Sequence, residues 1–201
     1  MYALLERKTQ AVYTELLAIV RAKCREVNQE PDPTTIVIDF ELAMVRAVEM
    51  ELGDHITVRC CFFHLTQSTW RKVQALGLSM LYRESEDVKL FCGMIDALAL
   101  LPMRDMEAGL QFLRDHTPEG MQPLLQYFDE TYCSGTVRVV ERRGRAGGVR
   151  RIQPHFPPAM WNVHEATVNG EQRTNNLCEA WNCRMGHLCG SSHPNVWRLL
   201  H

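Results

Sequence analysis

A short β-branched run, Thr35, Ile36, Val37 and Ile38, that ends on the acid Asp39 constrains the fold more than any other feature of the chain. A nearly unbroken apolar stretch of this length is a strand buried on both faces. Leu42, Val45, Val48 and Leu52 follow at helical spacing, Gly53 and Asp54 stop that helix, and residues 56–60 make a second short strand. Together they form a β-α-β unit, whose strands run parallel through a right-handed crossover. Ahead of it, Val12, Leu16, Ile19, Val20, Cys24 and Val27 mark a helix that Pro31 and Pro33 end. Residues 1–5 have the look of a strand end.

From residue 62 to 132 the periodicity is helical, with segments near 62–76, 84–101, 104–115 and 119–132 punctuated by Gly77, Pro102 and Pro118. Residues 136–140 and 149–152 read as strands flanking a Gly/Arg-rich stretch, 141–148, that is either a hairpin loop or a mobile segment. Residues 154–158 connect to a helix over 176–189, and a last short helix follows Pro194. The expected organisation is therefore α/β, with three parts: 1–61, a helical insertion over 62–170 that includes a basic loop at 138–151, and closing helices over 171–201. At 201 residues and 46% apolar content the chain can bury a core of this size. No run is long enough to cross a bilayer, and no signal-peptide pattern opens the chain, so no membrane partner is expected and an intracellular protein is the default. The eight cysteines are scattered and include the adjacent Cys60 and Cys61, which reads as reduced thiols. A net charge of −2 gives no global basic field, so affinity for nucleic acid has to come from a local patch.

Asp39 stands just past the C-terminal end of a buried strand, where open α/β sheets place their ligands. Glu179, on the distant helix, can share a divalent ion with it, and Cys61 and His64 form a C-x-x-H motif between the two. Each has a plainer reading. Asp39 fits the N-cap of the helix that carries Leu42. Asn176 and Glu179 have capping-box spacing, although Leu177, Trp181, Met185 and Leu188 make the expected core stripe of that helix and leave Glu179 facing a cleft or solvent. Cys61 and His64 are at most half of a zinc site; Cys60, His55 and His193 would have to complete it, and structural zinc is not expected. Cys61 is expected to be buried at the strand end, with His64 near the site, contacting phosphate or orienting a carboxylate. Arg138, Arg142, Arg143, Arg145, Arg150 and Arg151 form the one basic cluster, suited either to tracking a DNA backbone in a salt-dependent way or to a solvated loop. Cys24, Cys92, Cys133, Cys178, Cys183 and Cys189 read as packing residues, and Trp70, Trp161, Trp181 and Trp197 as core anchors.

In this order the motifs resemble the transposases of Mutator-like elements, the MULE transposase domain, over nearly the whole chain. The resemblance is carried by Tyr2, Ala3, Leu4 and Leu5 with Lys8 and Thr9; by residues 36–41; by Cys61, His64 and Gln67 with Trp70, Arg71 and Lys72; by residues 97–102; by Trp161 and Asn162; by Arg173, Thr174, Asn175 and Asn176 with Glu179 and Trp181; and by His193 and Pro194. It implies a ribonuclease-H-like core in which three acidic residues hold two divalent cations, Mg²⁺ or Mn²⁺, for DNA cleavage and strand transfer in the nucleus. Asp39 matches the second acid and Glu179 the third. The first acid belongs to the first strand of the fold and has no counterpart here.

Two-metal phosphodiester chemistry places its ions ~3.5–4 Å apart with carboxylates fixing the pair. The resemblance therefore implies a transposase fragment, inactive as this chain. The other expectation is a non-catalytic DNA-binding or interaction module derived from one. A sheet of order 3-2-1-4-5 without its first two strands leaves residues 36–39 as an exposed edge, which invites aggregation or pairing with a second copy of the chain. The expectation is marginal stability, and a cooperative, reversible urea transition of the purified monomer would contradict it.

Overall fold

Residue 3 and residues 5–142, 145–190 and 197 are described by the computed structural model. Tyr2, Leu4, Arg143, His193 and the helix expected after Pro194 lie outside the described residues. Helix α1 (Gln10–Glu26) starts where the Thr9 side chain accepts the Val12 N–H at 3.4 Å, and carries Lys23 and Arg25 in its last turn, where the helix dipole favours cations. Strand β1 (Thr35–Ile38) follows, then α2 (Leu42–Leu52), which ends at Gly53 with φ 104°, and β2 (Thr57–Cys60). The two strands are parallel in the register Thr35↔Thr57 to Ile38↔Cys60. Arg21 of α1 clips the far end of α2 by donating to the Glu51 carbonyl at 2.7 Å and its carboxylate at 3.2 Å. Strand, helix and strand are thus where the periodicity placed them. Among the described residues β1 and β2 form a sheet of their own, and the fold is a mixture of helices and small sheets.

Helices α3 (Phe62–Ala75), α4 (Ser79–Glu84), α5 (Glu86–Ala97), α6 (Met106–Asp115) and α7 (Gln122–Phe128) follow. They enclose the main core: Leu65 and Val73 meet Phe91, Ile95, Leu110 and Phe128, with Cys60 at the end of β2 packed into the same cluster. Each large apolar side chain buried here contributes roughly 1.5–3 kcal/mol. Trp161, on the short α8 (Pro158–Trp161), is fully buried, and its indole N–H donates to the Tyr132 and Phe156 carbonyls, both at 3.1 Å. Helix α9 (His164–Val168) and α10 (Asn176–Leu188) close the described chain.

The basic segment is an antiparallel ribbon, β3 (Thr136–Arg142) and β4 (Arg145–Ile152), so residues 141–142 and 145–148 of the expected loop are strand. Gly135 opens the ribbon at φ 74°, where an added Cβ would lie 2.0 Å from the Ile152 carbonyl oxygen. Several expectations are corrected. Helices α4, α8 and α9 are too short for a periodic signal. Trp161 is the core anchor, whereas Trp70, Trp181 and Trp197 are 36%, 50% and 69% exposed. Leu188 is exposed too, so the proposed stripe on α10 is no core face, and Cys178 and Cys183 are exposed rather than packed.

One carboxylate sits badly in the helical core. Asp96 of α5 has a buried Oδ1 with no hydrogen bond, and burial raises its pKa to about 6 despite the opposing pull of the Thr69 hydroxyl. A carboxyl whose folded pKa exceeds its unfolded value of 3.8 favours the fold when protonated, and that advantage is lost as pH rises through about 6. Thermal midpoints measured from pH 4.5 to 7.5 should therefore fall more in the parent than in Asp96→Asn, by an amount equivalent to about 1–3 kcal/mol. Parallel pH profiles would contradict this.

Candidate metal centre

Asp39 leaves the end of β1 half-buried, and its carbonyl accepts the Glu41 N–H at 2.8 Å. Glu41, not Asp39, is the cap residue of α2, and no side chain caps that helix. Asp39 is therefore free of the capping role that its position after a strand allowed. Its Oδ1 accepts the Asn175 amide at 2.8 Å and lies 3.1 Å from Nδ1 of His64. On the other side of the imidazole, Nε2 lies 3.4 Å from Oε1 of Glu179. Asp39, His64 and Glu179 each offer a ligand atom, and the three atoms lie within 4.8 Å of one another.

Three local features assemble this triad. His64 is in the first turn of α3, which starts as soon as β2 ends, because the Cys61 N–H extends the strand ladder to the Ile38 carbonyl at 2.7 Å. Cys61 is wholly buried there and stands outside the metal-binding group, as a strand-end residue should. The segment leading into α10 is tied across the same edge by the Phe62 N–H to the Arg173 carbonyl at 3.0 Å and by Arg59 to Glu171 at 2.6 Å. The Arg59 guanidinium holds the Glu171 carboxyl below the usual carboxylate range. Asn175 is the cap residue of α10, but its side chain goes to Asp39 rather than to the helix, so the capping-box reading of Asn176 and Glu179 does not hold.

The residues fit a hard divalent cation. Of the three buried side-chain polar atoms without a hydrogen bond among the described residues, two, His64 Nδ1 and Asn175 Oδ1, belong to residues that contact Asp39. Two carboxylates, an imidazole and an adjacent amide oxygen make an oxygen-rich donor set of the kind that suits Mg²⁺ or Mn²⁺. The neighbouring thiol of Cys60 is pushed up to about 12, by burial first and then by the charge of Asp39, and is an inert packing group. Glu41 is occupied elsewhere. The Lys8 ammonium and the Tyr13 hydroxyl both donate to its carboxylate, and together they outweigh burial and hold it below the usual range.

The described side chains of the cluster, Arg138, Arg150 and Arg151, make no hydrogen bond or ion pair with Asp39, His64 or Glu179. Arg138 and Arg150 face each other across the ribbon, and they and Arg151 are exposed; the backbone register also pairs Arg142 with Arg145. The ribbon is nonetheless rooted beside Asp39. Phe40 packs edge-on against Tyr132, just before β3, at 5.5 Å, and against Phe156, just after β4, at 5.1 Å. Sequence reading overlooked the Asn175 contact and the Lys8–Tyr13–Glu41 network. The run Arg173 to Asn176 was visible as a motif, but nothing in it announced which side chain turns toward Asp39.

Residues 1–68 match the family model of the MULE transposase domain, a stretch that contains Asp39, Cys61 and His64 and stops short of Glu179. No curated protein and no solved structure matches the chain.

Residues that orient metal ligands through hydrogen bonds typically contribute 10–100-fold to metal affinity. Asn175→Ala should accordingly weaken Mn²⁺ binding by about that factor in a calorimetric titration while leaving the far-ultraviolet circular dichroism unchanged. Equal affinity in parent and variant would refute the positioning role of Asn175.

Proposed function

We propose that this chain is a transposase-derived, DNA-binding protein of the Mutator-like type, with a β-α-β unit of ribonuclease-H-like kind, and that Asp39, His64 and Glu179 hold one Mg²⁺ or Mn²⁺. The observation that carries the proposal is the convergence of residues 39, 64 and 179 on one point, with ligand atoms within 4.8 Å. The match of residues 1–68 to the MULE transposase domain supports the class of chemistry. The Arg138, Arg150 and Arg151 side chains of the ribbon supply the phosphate contacts, and Arg142, Arg143 and Arg145 add charge to the same stretch of sequence.

In this reading, a bound divalent ion supplies Lewis acidity at a phosphodiester oxygen. Asp39 and Glu179 provide negative charge to hold the ion, Asn175 fixes the Asp39 carboxylate, and His64 offers an imidazole nitrogen between the two acids. Two carboxylates suit one ion with a shell completed by water. Two-ion catalysis asks for more, so the 201-residue chain by itself binds DNA and metal without joining strands.

Calorimetry with Mn²⁺ should give a stoichiometry near one for the parent and no detectable binding for Asp39→Ala or Glu179→Ala. The parent should bind DNA with a steep salt dependence and produce no strand-transfer product in Mn²⁺. A parent that binds no Mn²⁺, or two variants that bind it as well as the parent, would overturn the metal assignment. DNA affinity unchanged in an Arg138→Ala/Arg150→Ala double variant would remove the ribbon from the interface.

A further inference from the structure

Helix α3 runs away from the metal centre with one polar stripe. His64, Gln67, Ser68 and Arg71 recur at three- and four-residue spacing, which places them on one helix face. All four line a cleft of ≈ 400 Å³ that opens beside Asp39 and is also walled by Lys8 and Tyr132. Two of the cleft's polar groups are already engaged. The Ser68 hydroxyl meets the Tyr132 and Tyr127 hydroxyls at 2.6 and 3.1 Å, and Lys8 is committed to Glu41. Gln67 and Arg71 are not. Among the described residues neither side chain has a hydrogen bond or an ion pair, although Gln67 is half-buried.

An unpaired cation and an unpaired amide, in line with a cluster that suits a divalent ion, call for an extended anion that reaches the ion at one end. We infer that Gln67 and Arg71 form a binding site for the backbone phosphates of one DNA strand, running along α3 from the metal centre. The inference rests on the metal-and-DNA reading above and names where the strand lies. A guanidinium offers a planar fork of donors that matches phosphate oxygens, and the Gln67 amide supplies a neutral donor between it and the centre. Seven residues of helix separate His64 from Arg71, roughly 10 Å of rise. Over that distance Arg71 meets a phosphate further along the same strand than the one at the ion.

The test is fluorescence anisotropy with a labelled single-stranded oligonucleotide in Ca²⁺, over a range of salt, together with Mn²⁺ calorimetry on each variant. Arg71→Ala should lose affinity and flatten the plot of log affinity against log salt by about 0.7, the value of one phosphate contact on a single strand. Arg71→Lys should keep the slope. Gln67→Ala should lose affinity with no change of slope, and Gln67→Arg should steepen it by about 0.7. Mn²⁺ affinity should be the same in all of them. If the parent binds DNA and Mn²⁺ while Arg71→Ala keeps parental affinity and slope, the strand path is wrong and the metal reading stands. If Arg71→Ala loses Mn²⁺ binding, Arg71 belongs to the metal centre and the inference fails. A parent that binds neither ligand overturns both readings.

Discussion

The hydrogen bond from Asn175 to Asp39 is the contact on which the centre depends, because it joins residues 136 positions apart and sets where α10 begins. A cap residue ordinarily turns its side chain back onto its own helix. Here the amide is directed to the end of β1, and the first turn of α10 then carries Glu179 to the other side of His64. Two further ties, Arg59 to Glu171 and the Phe62 N–H to the Arg173 carbonyl, hold the approach to that helix against β2 and the start of α3. The result is a candidate site whose three side chains come from a strand end, a helix start and a distant helix, each positioned by its backbone element.

Two opposite demands meet at Asp39. The site needs concentrated negative charge to attract a cation, and the fold has to tolerate that charge without one. Lys8 and Tyr13 take the Glu41 carboxylate out of the competition, which leaves Asp39 and Glu179 as the acids facing His64. On the apolar side, Phe40 follows Asp39 directly and is held between Tyr132 and Phe156, the two feet of the arginine-bearing ribbon. Trp161 locks those same feet through their carbonyls. The root of the ribbon and the backbone beside Asp39 thus share one aromatic anchor.

Much of this was legible in the sequence, for identifiable reasons. The β-branched run at 35–38 and the spacing of Leu42, Val45 and Val48 specify strand and helix locally, although β1 is buried on both faces only at Ile38, and Asp39 and Glu179 were singled out as a pair of acids by the family resemblance. Periodicity was misleading on α10, where Leu177, Trp181, Met185 and Leu188 share a face by spacing, yet Trp181 and Leu188 are exposed. Spacing tells which residues share a face and says nothing of what covers it. The Asn175 contact, the Arg59–Glu171 pair and the aromatic clamp on Phe40 are tertiary, and each partner alone is an ordinary residue of its type. The burial of Asp96 was hidden for the same reason, since an acid at the polar edge of a helical stripe looks solvated until the neighbouring helix is in place.

The most direct test of the shared ion is pulsed electron paramagnetic resonance on the Mn²⁺-loaded protein. The account predicts nitrogen modulation from one imidazole, present in the parent, absent in His64→Leu and retained in Lys8→Ala. Bound Mn²⁺ that shows only water and carboxylate couplings, or nitrogen modulation that survives the loss of His64, would contradict a centre built from Asp39, His64 and Glu179.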